Sequence, residues 1–238
     1  MGKIEVFGTV YLGSEALAVG DSVFGWLLDI GNSVPGKKIP WINWNGRYIA
    51  AQNVCRGVAW GNLVANNFVS GKVISIDGRA FVCRLLKPET RIADSEWLRF
   101  VFDVGEDDDL IHWEANSFWG QPPEFESKPH LRLYCGDSAK SWRDYRAEGD
   151  TTIAGWRPVL EPLARMPMDL KPYDWKKVSV YDQEGRTITG TVMGFSDYDV
   201  ILQSYDKIPA GCNWAARGWG QIVVDRDAIS WIKEARDG

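Results

Sequence analysis

Histidine and cysteine are scarce, and their scarcity removes most metal and redox chemistry before any motif is considered. Only His112 and His130 are present, so a His triad for a metal cannot be built from this chain, although an all-carboxylate site stays open. The four cysteines, Cys55, Cys83, Cys135 and Cys212, include no Cys-x-x-Cys pair. That argues against a zinc site and a disulfide scaffold, and for buried free thiols. No apolar run approaches the roughly 20 residues that span a bilayer. The opening MGKIEVFGTVYLG alternates like a strand and lacks the apolar segment of a signal peptide. With Val6 where Ser or Thr would be needed, the Met-Gly start does not read as a myristoylation signal. The expectation is a cytoplasmic protein with no membrane partner. Positive charge is also short: 27 Lys and Arg against 32 Asp and Glu leave a net charge of −5. The overall field repels phosphate backbones, which makes nucleic acid an unfavoured partner.

What the chain does have is apolar content and tryptophan. At 238 residues, 45% hydrophobic and 25% charged, it is a globular sequence long enough for two domains. Its 13 tryptophans suit a core, an interface or a stacking platform, with burial the default. Turn dipeptides Asn45-Gly46 and Asp77-Gly78 each separate two alternating apolar runs, IPWINW/RYIAA and KVISI/RAFVC, and predict two hairpins. Each follows a Gly-Lys pair and carries Gly-Arg at the turn, as in a two-copy duplication. GVAWGNLVANNFVS between them reads as loop. TRIADSEWLRFVFDVG offers Asp94 or Ser95 as an N-cap and Trp97, Leu98 and Val101 as the apolar stripe of a short helix. GEDDDL lacks the alternate ligands, central Gly and terminal Glu of a calcium loop and reads as a solvated turn.

From His112 to Trp156 the order of aromatic and basic residues carries a resemblance. Trp113, Trp119, Arg132 to Gly136, Trp142 with Arg143 and Arg146, and Gly155-Trp156-Arg157 resemble the C-type-lectin-like fold, in its formylglycine-generating-enzyme branch of bacterial and phage proteins. The resemblance covers about residues 60 to 165. It implies that the strand after Gly-Trp-Arg-Pro pairs with the N-terminal strand and closes the domain near Pro167, with Pro158 and Pro162 at the limits of an edge strand. The chemistry of that family is not supported by the residues present. Only Cys135 lies near the segment where the copper-binding cysteine pair would stand, and Gln121-Pro122-Pro123 lacks the residue that would complete a calcium-dependent sugar site. No Gly-x-Ser-x-Gly elbow occurs, and Glu124 and Glu126 read as surface charges. The expectation is no enzyme, no catalytic residue, no metal and no cofactor.

After the linker MPMDLKPYDW, five short alternating runs fill about 65 residues, with a turn at Asp182 to Gly185. Val178, Val180, Gly185, Ile188, Gly190, Phe195, Tyr198, Ile201, Leu202 and Ala228-Ile229-Ser230 resemble the Sm-like (Hfq-like) barrel. The family's stacking aromatic falls on Tyr198, whereas its Lys-His pair falls on Arg226-Asp227, which weakens uridine-tract binding. The inserted KIPAGCNWAARGWGQ has two open readings, a loop packed on the first domain or a lid over a ligand. The fold class expected is mainly β with minor α (α+β): a C-type-lectin-like domain over 1–167 and a five-stranded Sm-like barrel over 168–238. The function expected is non-enzymatic binding of a small polar or anionic ligand such as a nucleotide, in a protein of phage or prophage type that forms a homo-oligomer. Trp142, Trp156, Trp214 and Trp219 would stack the ligand, and Arg143, Arg146, Arg157 and Arg217 would fork its phosphate. The alternatives are a virion module that recognises a surface glycan, and single-stranded RNA binding through the barrel.

Overall fold

The computed structural model describes residues 3–23, 25, 27–87, 95–105, 108–112, 117–122, 131–136, 139–146, 154–165, 167 and 169–235, with the backbone alone for 108, 131–136, 139–146 and 165. The described residues are mainly β, with three short α-helices. They fall into two compact units, Met1–Glu161 and Pro162–Gly238. Among them no helix is long and apolar enough to cross a membrane, which says nothing of a β-barrel.

The first unit holds β1 (Lys3–Phe7), β2 (Thr9–Leu12), β3 (Glu15–Ala16), β4 (Asp21–Ser22), β5 (Leu28–Gly31), β6 (Ile39–Trp44), β7 (Arg47–Ala50) and β8 (Cys55–Arg56). Helix α1 (Trp60–Ala65) precedes β9 (Lys72–Ile76) and β10 (Arg79–Arg84). Helices α2 (Glu96–Val104) and α3 (Asp108–Ile111) follow, then β11 (Phe118–Trp119), β12 (Leu131–Gly136), β13 (Ala139–Arg146) and β14 (Val159–Pro162). The central sheet runs in the order β1-β6-β7-β14-β10-β9. Both predicted hairpins are in it, and their turns have the left-handed backbone that Asn-Gly and Asp-Gly favour: φ is 51° and 76° at Asn45 and Gly46, 50° and 78° at Asp77 and Gly78.

Strand periodicity builds two cores on this sheet. Trp41, Tyr48, Ala50 and Leu160 join one with Phe7, Phe81, Phe68 and Trp156, while the alternate residues Ile42, Trp44, Ile49 and Val159 join the other, under α2. Helix α2 starts as expected: the Ser95 hydroxyl accepts from the Leu98 N–H at 3.2 Å, and Trp97, Phe100 and Val101 are its buried face. It ends at Gly105 with φ 94°.

Two expectations are overturned in this unit. GVAWGNLVANNFVS is not loop throughout, because Trp60–Ala65 forms a helical turn and a half. Burial of Trp60 and Leu63, three residues apart, outweighs the poor propensity of Gly61 and Asn62. Nor is the strand after Gly-Trp-Arg-Pro an edge paired with β1. β14 lies between β7 and β10, in register Val159 to Ile49 and Leu160 to Tyr48. Pro158 precedes it and Pro162 is its last residue, so their missing donors fall where the ladder stops.

The second unit contains β15 (Ala164–Arg165), β16 (Lys177–Tyr181), β17 (Thr187–Phe195), β18 (Asp199–Gln203), β19 (Ala215–Gly218), β20 (Gln221–Asp225) and β21 (Trp231–Glu234). Instead of a closed five-stranded barrel they form an open sheet of seven, in the order β15-β21-β16-β17-β18-β20-β19. The two extra strands are β15, just ahead of the linker, and β19, within the Gly-rich insertion, which lies between β18 and β20. Strand β17 is shared, pairing with β16 through Thr187 to Thr191 and with β18 through Thr191 to Phe195, with an irregularity between Val192 and Gly194. Gly190 sits where a Cβ would be 2.8 Å from the Gln203 carbonyl, so the crossing needs glycine.

Candidate functional site

The motif Gly155-Trp156-Arg157-Pro158 is wholly interior. Trp156 packs against Phe68 with ring centroids 4.5 Å apart and planes tilted by 45°, and its backbone N–H and C=O bond Cys55 and Val54. Arg157 points to the opposite core. Its guanidinium lies 5.0 and 4.9 Å from the Trp97 and Phe118 rings and donates to the carbonyls of Ile111 at 2.6 Å and His112 at 2.8 Å, at the end of α3. Both side chains are fully enclosed by protein. The stacking and forking expected of them toward a ligand are made to the protein itself. Trp142, Arg143 and Arg146 lie on β13, with Arg143 opposite Tyr134 and Arg146 opposite Leu131; their side chains lie outside the described residues, as does all of Trp113.

A second concentration of charge in this unit is Arg84 with Glu96 and Glu161, all nearly fully buried. Arg84 forks onto Glu96 through two bonds of 2.7 Å and reaches Glu161 at 2.6 and 3.0 Å, and Arg47 adds 2.6 Å to Glu96. Burial alone would raise the Glu96 carboxyl, but the Arg84 fork, the Lys87 N–H and Arg47 outweigh it and hold it at about 2. A carboxylate ionised so firmly holds no proton to give at neutral pH. The cluster anchors the start of α2 to β10 and β14. The thiols are equally quiet: burial and then the charge of Asp21 push Cys55 up to about 12, and burial raises Cys83 and Cys212. Among the described residues no three His, Cys, Asp or Glu side chains gather as a metal site.

The second unit presents a different arrangement. Asp182, at the turn joining β16 to β17, accepts from the backbone N–H groups of Glu184 and Arg186, from Arg186 Nε at 2.6 Å and from the Trp214 indole at 2.9 Å. Trp214 is thereby fixed in the unit's own core, and the insertion that carries it is pinned at its base. From there the chain enters the β19–β20 hairpin, whose two-residue turn is Trp219-Gly220, with φ 50° and 80°. A bulky residue in left-handed backbone is uncommon, because its Cβ crowds the following carbonyl. Trp219 has nothing to offset that cost in the fold, since its side chain is 105% exposed.

Tyr205, 86% exposed, is beside this turn. Gln203 of β18 and Gly218 of β19 both register with Gln221, which puts the residues after β18 next to Trp219-Gly220. Arg217 holds them there, donating to the Ser204 carbonyl at 2.9 Å and to the Asp206 carbonyl. Of the residues expected to take a ligand, Trp214 is turned into the core and Arg217 spends its fork on backbone carbonyls, so both roles are made to the protein itself, while Trp219 keeps an exposed ring. Tyr205 was not anticipated, and the only hint in the sequence was an aromatic flanked by turn-forming Ser204 and Asp206. Tyr198, the aromatic given by the Sm-like resemblance, is 76% exposed but at the other end of β18, beside Asp199 and Arg226.

No protein-family model, no curated protein and no solved structure matches this chain.

Proposed function

We propose that this chain is a non-catalytic binding protein whose second unit stacks the planar ring of a nucleotide-like ligand on Trp219. The observation that carries the reading is a tryptophan placed where the fold gains nothing from it. Asn or Gly would suit the first turn position without the left-handed strain of about 1 kcal/mol or more, and either would spare a large apolar face its exposure to water. Strain of this kind is retained when function needs the residue. A ring supported by a hairpin that is itself pinned through Trp214 and Asp182 is a stacking platform, and base-on-aromatic stacking contributes about 1–3 kcal/mol.

We infer as well that the second unit is Sm-like and the first C-type-lectin-like. In favour of an Sm-like second unit are the shared strand β17 and the return of β21 to pair with β16 after a single 3-10 turn (Arg226–Ala228). In favour of a C-type-lectin-like first unit is the meeting of the two ends of the matched segment, where Phe118 bridges Gly155 and Trp119 N–H bonds the Gly155 carbonyl at 3.1 Å. A second function, binding of single-stranded RNA, is favoured by the location of four exposed aromatics, Trp175, Tyr198, Tyr205 and Trp219, in the unit that resembles an RNA-binding fold.

Calorimetric titration with a panel of nucleotides and a short oligonucleotide tests both. The expected result is binding by the wild-type chain that weakens roughly 5- to 150-fold in Trp219→Asn, the equivalent of one lost stack. Equal affinity in the two proteins rejects the platform, and a response to the oligonucleotide alone selects the RNA reading.

A further inference from the structure

We infer that Arg217 is a positioning residue for a two-ring platform, Trp219 and Tyr205, and that this platform grips its ligand by the ring and not by the phosphate. The inference rests on the nucleotide reading above and narrows it to the chemical group recognised. Arg217 carries a rigid fork of five N–H donors, the usual means of holding a phosphate through two parallel bonds. Here that fork is committed to backbone: Nη1 donates to the carbonyl of Ser204 and Nη2 to that of Asp206. These two carbonyls stand on either side of Tyr205, so Arg217, two residues before Trp219, fixes the segment that carries the second exposed ring.

Among the described residues, the charges around the platform give phosphate no second fork. Arg186 is paired with Asp182 at 2.6 Å and Glu184 at 3.2 Å, and the exposed Lys207 is a single ammonium without the fork that takes a phosphate through two bonds. A site whose nearby guanidinium forks are committed elsewhere gains little from a phosphate and releases few counterions on binding, so its affinity changes only weakly with salt. What the platform offers is two aromatic faces, and what fits them is a flat heteroaromatic ring, phosphorylated or not.

The test compares adenosine with adenosine monophosphate, by calorimetry at about 50 and about 300 mM salt, in the wild type, Arg217→Lys, Tyr205→Ala and the double variant. Expected are affinities for the two ligands within about threefold at both salt concentrations, and a loss of about tenfold for both ligands in Arg217→Lys, which keeps the charge but not the fork. Tyr205→Ala loses as much, and the double variant loses no more than either single one, because Arg217 acts through Tyr205. Hydrogen exchange at 204–207 is expected to speed up in Arg217→Lys whether or not a ligand is present. A loss confined to the monophosphate, or one that grows with salt, overturns the ring-only grip while leaving nucleotide binding in place. Unchanged exchange at 204–207 overturns the positioning role. Wild-type protein that binds neither compound removes the nucleotide reading and the ring-only grip together, while the exchange result still decides the role of Arg217.

Discussion

Arg84→Met is expected to lower the stability of the first unit by about 3–5 kcal/mol, the cost of leaving buried charges without their partner. Arg84 is the only side chain that bonds both Glu96 and Glu161 at hydrogen-bonding distance among the described residues, and each of the three is nearly fully buried. Methionine fills the volume but donates nothing, so two carboxylates face each other with Arg47 as the nearest cation among the described residues, 2.6 Å from Glu96 and 3.7 Å from Glu161. The loss depends on pH in a direction that follows from the carboxyl groups. In the wild type Glu96 is held at about 2, below its ordinary 4.5. A group depressed on folding contributes stability that is fully present above about 4.5 and is lost as pH falls toward 2, roughly 3 kcal/mol in all. In Arg84→Met the burial that raises the carboxyl is no longer overcome, so its proton is bound more readily in the folded chain than in the unfolded one. The gap between the two proteins, measured by urea unfolding, is therefore expected to narrow from pH 7 to pH 4. A gap that stays constant or widens contradicts the assignment of the loss to unpaired carboxylates.

Gly155→Ala is the second large loss, about 3 kcal/mol or more, at or beyond the upper end of ordinary overpacking. A Cβ at this position lies 2.7 Å from the Cys55 carbonyl oxygen and equally close to Asn53 Cγ. The carbonyl is backbone and cannot swing away, since Cys55 is bridged to Trp156 and accepts its N–H at 3.0 Å. Asn53 is fixed in turn by its own donation to the Ser117 carbonyl at 2.8 Å. One methyl group thus pushes apart the three segments that meet around Trp156. Thermal and urea unfolding of the variant measure the loss, and a decrease below about 1 kcal/mol would show that the segments separate at little cost. This crowding explains the glycine of Gly-Trp-Arg-Pro more directly than any ligand does.

Local chemistry was the legible part of the sequence. Asn45-Gly46, Asp77-Gly78 and Ser95 each act through atoms within four residues, and the structure has two I′-like turns and a capped helix where these stand. Burial of Cys55, Cys83 and Cys212 and of most described tryptophans follows from transfer energetics alone. Long-range consequences were hidden. Nothing near Glu161 announces a partner 77 residues away at Arg84, and the short segment Val159 to Leu163 fits an edge strand as well as the central one it forms. In the candidate site, Trp214, Arg217 and Trp219 stood out by residue type, but their division of labour depends on Asp182 and on the carbonyls of Ser204 and Asp206. The Trp219-Gly220 turn was missed because turn chemistry points to Asn or Asp before Gly, and tryptophan there goes against it. Trp156 and Arg157 drew notice for the same residue types yet serve the interior, since an aromatic or a guanidinium fits a core and a ligand equally well.

The most direct measurement of the central claim is the urea unfolding midpoint of Trp219→Asn, taken on the same preparation whose nucleotide affinity is titrated. If Trp219 is kept for a ligand against the preference of its turn, the variant unfolds at higher urea, by the equivalent of about 0.5–1.5 kcal/mol, while its binding falls. A variant that unfolds at lower urea, or that gains stability with its binding intact, would contradict that account.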